Sequence, residues 1–495
     1  RQRVDEYPLE RVAQITGVPA EDIAAAARMY ANADGAVIPW TPITDQQLSS
    51  TSAIRLHSIL RAVTRTLDVV GRENLAGLSQ AYIPQSEIGS HERFSPEQKA
   101  KQLGYDDHPA FTYRAAEMLK EPTEKVWGFP YADIVMGCQM ANPTSVFRAM
   151  TSEDPYPVKA FFCLGNNALL SYANQHQIHK AMLNQELIVS HEIFMTPTAM
   201  LADYVLPGDV FTERNHVADS WSWSTRLALS QKVVEPPAEA SSTFQFWTDL
   251  AHRMGFADEF PWANLEDMLD YRLARGGRTF QEFASETYME LAPPKFRKYR
   301  DKGFATPSGK VELASSILGD LGFDSLPYYR ELPSQSEEYP YLVFTGVRED
   351  PFFQTGQRNI ESLRRRMPAP SLYLHTSDAE REGLVDGDWA KLSTPQGEVV
   401  AQVAVHETMK QGHIRVPHGW WYPELRGQAS LAGAFISSDA VLCADSDEWL
   451  DHEQGVPHFK GFPGKVEKTD KPQQVSRTTP ADWQADQAVE AHAKS

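Results

Sequence analysis

A chain of 495 residues with 42% hydrophobic and 11% aromatic content can bury several packed cores, which excludes a largely disordered protein. A formal charge of −19 disfavours nucleic acid and anionic membranes as partners. Three cysteines, Cys138, Cys163 and Cys443, form no C-x-x-C pair, so neither a disulfide framework nor a zinc or iron–sulfur centre built from this segment alone is expected.

No run of about 18 apolar residues occurs, so no membrane-spanning helix is expected. The opening Arg1-Gln2-Arg3 has neither an initiator Met nor a signal peptide and reads as a fragment or a processed product. Residues 9–32 carry apolar positions at helical spacing, with Pro19 and Glu21-Asp22 marking a second helix start. The run AVIPWT (36–41) predicts a short buried strand, and a helix follows from Ser50 to about Leu67. Residues 83–130 show no clean period and predict an irregular surface excursion.

From residue 157 the pattern sharpens. VKAFFCL (158–164) is a buried strand running into Gly165-Asn166-Asn167. A helix (176–184), a strand (187–190), a loop and a further strand at Tyr204–Pro207 follow. Strand, turn, helix, strand is the order of a doubly wound parallel sheet. A helix is predicted over 243–254, then short helices and loops to 335. Runs at 340–345, 370–374, 388–394, 397–405 and 412–416 are short and β-rich, which suggests a barrel or sandwich. Residues 469–495 are polar and predict a loose tail. The fold class is therefore α/β, with doubly wound domains followed by a C-terminal β-barrel.

Four constellations could carry chemistry. Gly165 and Asn167 end one parallel strand and His191-Glu192 the next, where the carboxyl ends of strands line a ligand crevice. Glu192 could accept two hydrogen bonds from ribose hydroxyls or a guanine edge; the alternative is ordinary turn chemistry. Thr345-Gly346-Val347-Arg348, with Gln354-Thr355 beyond, ends a barrel run, and Arg348 could grip a phosphate or be a surface arginine. His418, in PHGWWYPE (417–424), could belong to an aromatic shelf for a flat heterocycle or to a core plug. Trp40, from its strand-like run, reads as a core tryptophan. TPSGKV (306–311) lacks the leading Gly and trailing Ser/Thr of a P-loop.

The ordered set VKAFFCLGNNALLS, ELIVSHEIFMTPTAMLADYVLPGDVFTER, ATPSGKVEL, FTGVRED and VPHGWWYPE resembles the dimethyl sulfoxide reductase family of molybdopterin enzymes, over nearly the whole chain to about Lys468. Through VDEYPLERVAQITG, IPWTPITDQQ and MANPTSVFRAM it is most similar to the acetylene hydratase branch, which adds water to a small substrate without net electron transfer. The resemblance implies a bis-molybdopterin guanine dinucleotide with tungsten or molybdenum, and one 4Fe-4S cluster in an N-terminal part outside this chain. It implies that residues 1–75 finish one dinucleotide-binding domain, 76–335 form a second and 336–468 form the barrel.

By the same resemblance Ile43 and Gln47 would contact a pterin dinucleotide, Asn167 would bind near its phosphates or ribose, and His191 and Glu192 would hold its guanosine; Gly165, from its place at the strand end, would let the ligand approach the backbone. Thr345, Gly346, Val347, Arg348, Gln354 and Thr355 would touch pterin and phosphate. His418 would join them, Lys460 matches a late basic position, and Trp40 matches a residue walling the substrate pocket. No metal ligand is expected within the chain. Departures from the family pattern include Thr243 where an Asp is usual, Ala440 for a late Asn, and an HGWW element closer to redox members. Three readings follow: a hydratase-like enzyme, an oxidoreductase feeding an iron–sulfur subunit, and a dinucleotide-binding module without catalysis. The partners implied are a small-molecule substrate and the N-terminal domain. The resemblance favours the cytoplasm and leaves the periplasm open.

Overall fold

A computed structural model describes residues 1–73, 82–83, 88–89, 91–130, 140–218, 226–286, 288–290, 295–425 and 431–476. Cys138 and tail residues 477–495 lie outside the described residues.

The apolar run ending in Gly165 forms β1 (Ala160–Leu164). It pairs in parallel with β2 (Leu187–Glu192), which pairs in parallel with β3 (Tyr204–Pro207). The register sets Leu164 opposite His191 and Glu192 opposite Pro207, so the strand ends share one edge. Helices Pro143–Ser152 and Gln175–Leu183 bury Phe147, Met150, Ile178 and Met182 against this sheet. Asn142 and Asn174 cap them, each accepting from a main-chain N–H of the first turn. A small antiparallel sheet follows, β4 (His216–Ala218), β5 (Arg226–Ser230) and β6 (Tyr288–Glu290), which the sequence reading did not contain.

Six strands close into a barrel: β7 (Tyr341–Val347), β8 (Ser371–Leu374), β9 (Trp389–Ser393), β10 (Glu398–Val405), β11 (His413–Pro417) and β12 (Lys460–Lys468). Along β10, Val399, Ala401 and Val403 point inward and alternate with more exposed residues, the period-2 pattern of a strand with one buried face. They meet Tyr341, Val343, Leu372, Leu392, Ile414 and Phe462 in one core.

Two local expectations are corrected. Residues 36–41 form no strand. The Ile38 N–H donates to Glu73 Oε1 at 2.8 Å and its carbonyl accepts from Arg61 at 2.7 Å, so side chains take the groups a ladder would need. The excursion at 83–130 contains a 15-residue helix, Tyr113–Trp127, capped by Thr112 and closed by left-handed Gly128. It carries Pro122 inside, where a turn would be predicted, and buries small residues, Ala115 and Ala116.

The loop 447–458 ties the barrel to the rest of the chain. Asp451 accepts from Thr51 N at 2.9 Å and Thr51 Oγ1 at 2.8 Å. The Tyr328 hydroxyl donates to Glu453 at 3.0 Å, and Asn142 Nδ2 donates to the Gln454 carbonyl at 2.7 Å.

Candidate cofactor-binding site

Two sets of strand-end residues make up the site. At the open sheet, Gly165 adopts φ +59°, and its N–H donates to the His191 carbonyl at 2.9 Å, so the first loop is latched to the second strand. Nothing lies within contact distance of a Cβ there, which leaves the main chain open to a ligand. Asn167 is buried; its Oδ1 accepts from Thr198 Oγ1 at 2.7 Å, while its Nδ2 has no hydrogen-bond partner. His191 is buried with Nε2 at 2.9 Å from the Ser241 carbonyl. Glu192 Oε1 accepts from Ile193 N at 2.9 Å, and burial raises its carboxyl above the usual range.

At the barrel rim one side chain organises the rest. Asp439 is fully buried and accepts from the N–H groups of Gly346 and Gly419, both at 2.7 Å, and faces His418 Nδ1 at 3.2 Å. Burial works to raise its carboxyl, but the His418 ring and the two N–H groups outweigh this and hold it below the usual range. Thr345 is buried, its carbonyl accepting from Lys460 Nζ and its hydroxyl donating to the Phe459 carbonyl at 2.8 Å. The Val347 carbonyl accepts from His418 N at 2.8 Å. Arg348 is exposed and donates to the Gln354 side-chain oxygen at 2.9 and 2.7 Å.

The aromatic element resolves into a plug. Trp420, Trp421 and Tyr422 are all at most 1% exposed, too deep to serve as a shelf. Trp421 Nε1 donates to the Thr355 carbonyl at 2.7 Å, and its ring packs with Leu169 and Leu170 just past the first strand end. That residue joins barrel rim and open sheet through one core. Behind it the buried Arg358 donates to the His418 carbonyl at 2.9 Å and lies 5.2 Å from the Trp420 ring. Burial pushes its guanidinium down to about 9, still a cation at neutral pH.

A cleft of about 310 Å³ opens beside the rim, lined by Ile43, Gln47, Arg330, Phe344, His458 and Lys460 among others. Gly346 abuts Lys460 of this lining with φ +66°; a Cβ there would meet Lys460 Nζ at 2.9 Å and Gln46 Oε1 at 3.3 Å. Burial lowers the Lys460 ammonium below its usual range. Trp40, read from its run as a core residue, is instead 55% exposed, with Nε1 donating to Asp45 at 3.1 Å. Gln47 donates to the Ile43 carbonyl at 3.1 Å. Ile43, Gln47 and Lys460 thus share one cleft, whereas Gly165, Asn167, His191 and Glu192 share the sheet edge.

Asp439 and Arg358 were missed by sequence reasoning. The signal for Asp439 is a lone charge inside AFISSDAVLCA, an apolar run that only a partnered carboxylate could interrupt.

These features fit a long, anionic, heterocyclic ligand: main-chain approach at Gly165, an unpartnered buried amide on Asn167, and the basic side chains of Lys460, Arg330 and Arg348. Among the described residues no cluster of His, Cys, Asp or Glu could hold a metal by itself. The Molybdopterin oxidoreductase family matches residues 99–253, and the Molydopterin dinucleotide binding domain matches residues 342–463. The chain belongs to the dimethyl sulfoxide reductase family of molybdopterin enzymes.

Within that family it is similar to acetylene hydratase of Syntrophotalea acetylenica, at 43% identity over 471 residues, covering 93% of this chain and 64% of that protein. The solved structure of acetylene hydratase from Pelobacter acetylenicus matches with a TM-score of 0.90 and 41% identity, over 94% of this chain and 66% of that one. Formate dehydrogenase H of Escherichia coli (strain K12) is 25% identical, over 85% of this chain and 56% of that protein. The chain spans less than two thirds of the length of these relatives.

Proposed function

We propose that this chain is the dinucleotide cradle of a bis-molybdopterin guanine dinucleotide enzyme carrying tungsten or molybdenum, and that the enzyme adds water to acetylene or a comparably small substrate. The observation that carries the reading is the 43% identity to an acetylene hydratase over 93% of the chain. Gly165, Asn167, His191 and Glu192 would receive the guanosine and phosphate end of one dinucleotide. Thr345, Gly346, Val347, Arg348, Gln354, Thr355 and His418 would hold pterin and phosphate at the rim, with Ile43, Gln47 and Lys460 in the cleft beside it. The metal's own ligand and a 4Fe-4S cluster would lie in the part of the relatives' length that this chain does not span.

When bound, the metal supplies Lewis acidity toward water or substrate. The protein's share is position and dryness: Lys460 and Arg348 neutralise phosphate charge, and Trp40 with Ile43 narrows the approach to a small, weakly polar substrate. The test is acetaldehyde production from acetylene by the full-length, metal-loaded protein. Acetaldehyde above the protein-free control is expected; a folded, fully loaded protein that yields none would remove the hydratase assignment and leave the cradle.

A second reading, electron transfer to an iron–sulfur subunit, draws on the HGWW element (418–421) and on the likeness to formate dehydrogenase H. Viologen-linked turnover with candidate donors and acceptors separates it from hydration.

A further inference from the structure

Trp40 is exposed, yet its polar edge is committed, because Nε1–H donates to Asp45 Oδ1 at 3.1 Å. The segment bearing both residues is fixed at each end. Ile38 is held by Glu73 Oε1 at 2.8 Å and by Arg61 at 2.7 Å, and those two side chains form an ion pair at 3.0 Å. At the other end the Gln46 carbonyl accepts from Phe459 N at 3.2 Å, docking the segment on the barrel. Thr44, between them, is buried.

Asp45 itself is half-buried. Burial raises its carboxyl above the usual range, the indole N–H pulls the other way, and the Asp451 charge adds to the rise. A partly buried carboxylate that receives one indole donor sets the direction of that donor. With its one N–H taken, Trp40 offers an apolar surface, and Ile43 on the same short segment is 54% exposed. Two large apolar side chains presented to solvent from a doubly anchored segment make a wall, not a core.

We propose that Asp45 is a positioning residue that fixes the indole plane of Trp40 as one wall of the substrate approach. This rests on the reading of Trp40 as a pocket wall given above.

The experiment is a double-mutant cycle in the full-length holoenzyme labelled with 5-fluorotryptophan, with Trp40→Phe assigning the Trp40 fluorine resonance. Asp45→Ala is expected to shift and broaden that resonance and to raise KM about fivefold, the loss of one hydrogen bond, with kcat little changed. Asp45→Asn keeps an acceptor oxygen and should restore both. In the Trp40→Phe background, which has no N–H to hold, Asp45→Ala should do nothing more.

An unmoved resonance in Asp45→Ala would overturn the proposal, as would an equal loss of kcat/KM with and without the indole. If Asp45→Ala fails to fold, Asp45→Glu moves the carboxylate by one methylene and supplies the same spectral comparison. A Trp40→Ala variant with unchanged KM would instead reject the wall itself, whatever the resonance shows.

Discussion

The open sheet and the barrel rim present similar residues to the candidate ligand but are wired differently. At the sheet edge each side chain has its own anchor: Asn167 on Thr198, His191 on the Ser241 carbonyl, Glu192 on its following N–H. At the rim, Gly346, His418 and Gly419 all hang from one carboxylate, Asp439. Distributed anchoring lets one contact fail alone. Central anchoring aligns three groups at once and makes them fail together.

Removing the hub should therefore have the largest effect. Asp439→Ala leaves the buried Gly419 N–H, the part-buried Gly346 N–H and His418 without their acceptor and is expected to destabilise the protein by about 3–5 kcal/mol, read by urea unfolding. Loss below about 1 kcal/mol would mean that the rim does not depend on it.

The loop 447–458, which ties the barrel to the rest of the chain, carries a pH dependence. Burial and the neighbouring Asp451 raise Glu453 to about 7 from its ordinary 4.5. The folded state therefore favours the protonated form. Its contribution is complete below pH 4.5 and is lost as pH rises through about 7. The melting temperature should fall over that window, and Glu453→Gln should flatten the fall; a variant with the wild-type slope would exclude Glu453 as its source.

At the sheet, Asn167→Ala removes the acceptor for Thr198 and should cost about 1–2 kcal/mol. Combined with His191→Phe the two costs should add to within about 0.5 kcal/mol, the mark of separate anchors. Strong coupling between them would erase the contrast with the rim. The smallest effect on stability belongs to exposed Arg348: Arg348→Ala should change unfolding by less than about 0.5 kcal/mol while lowering the dinucleotide retained on purification.

Legibility in the sequence followed locality. β1 and β2 could be read because unbroken apolar runs end in a Gly or a polar pair, and β10 because GEVVAQVAV alternates. β12, Lys460–Lys468, could not be read: KGFPGKVEK holds two Gly, a Pro and three Lys, and becomes a strand only because β7 and β9 pair with it on both sides. Trp40 was misplaced in a core because AVIPWT looks like a strand; Arg61 and Glu73, distant in sequence, hold that backbone in another shape. Asp439 draws its meaning from Gly346, His418 and Gly419, which no local pattern links to it.

The central claim is that these two differently wired edges together hold a pterin dinucleotide. The most direct measurement is quantification of released oxidised pterin, GMP and metal in the purified full-length protein. Two pterins, two GMP and one molybdenum or tungsten per chain are expected. Folded protein that contains neither pterin nor GMP after expression in a host making this cofactor would contradict the claim.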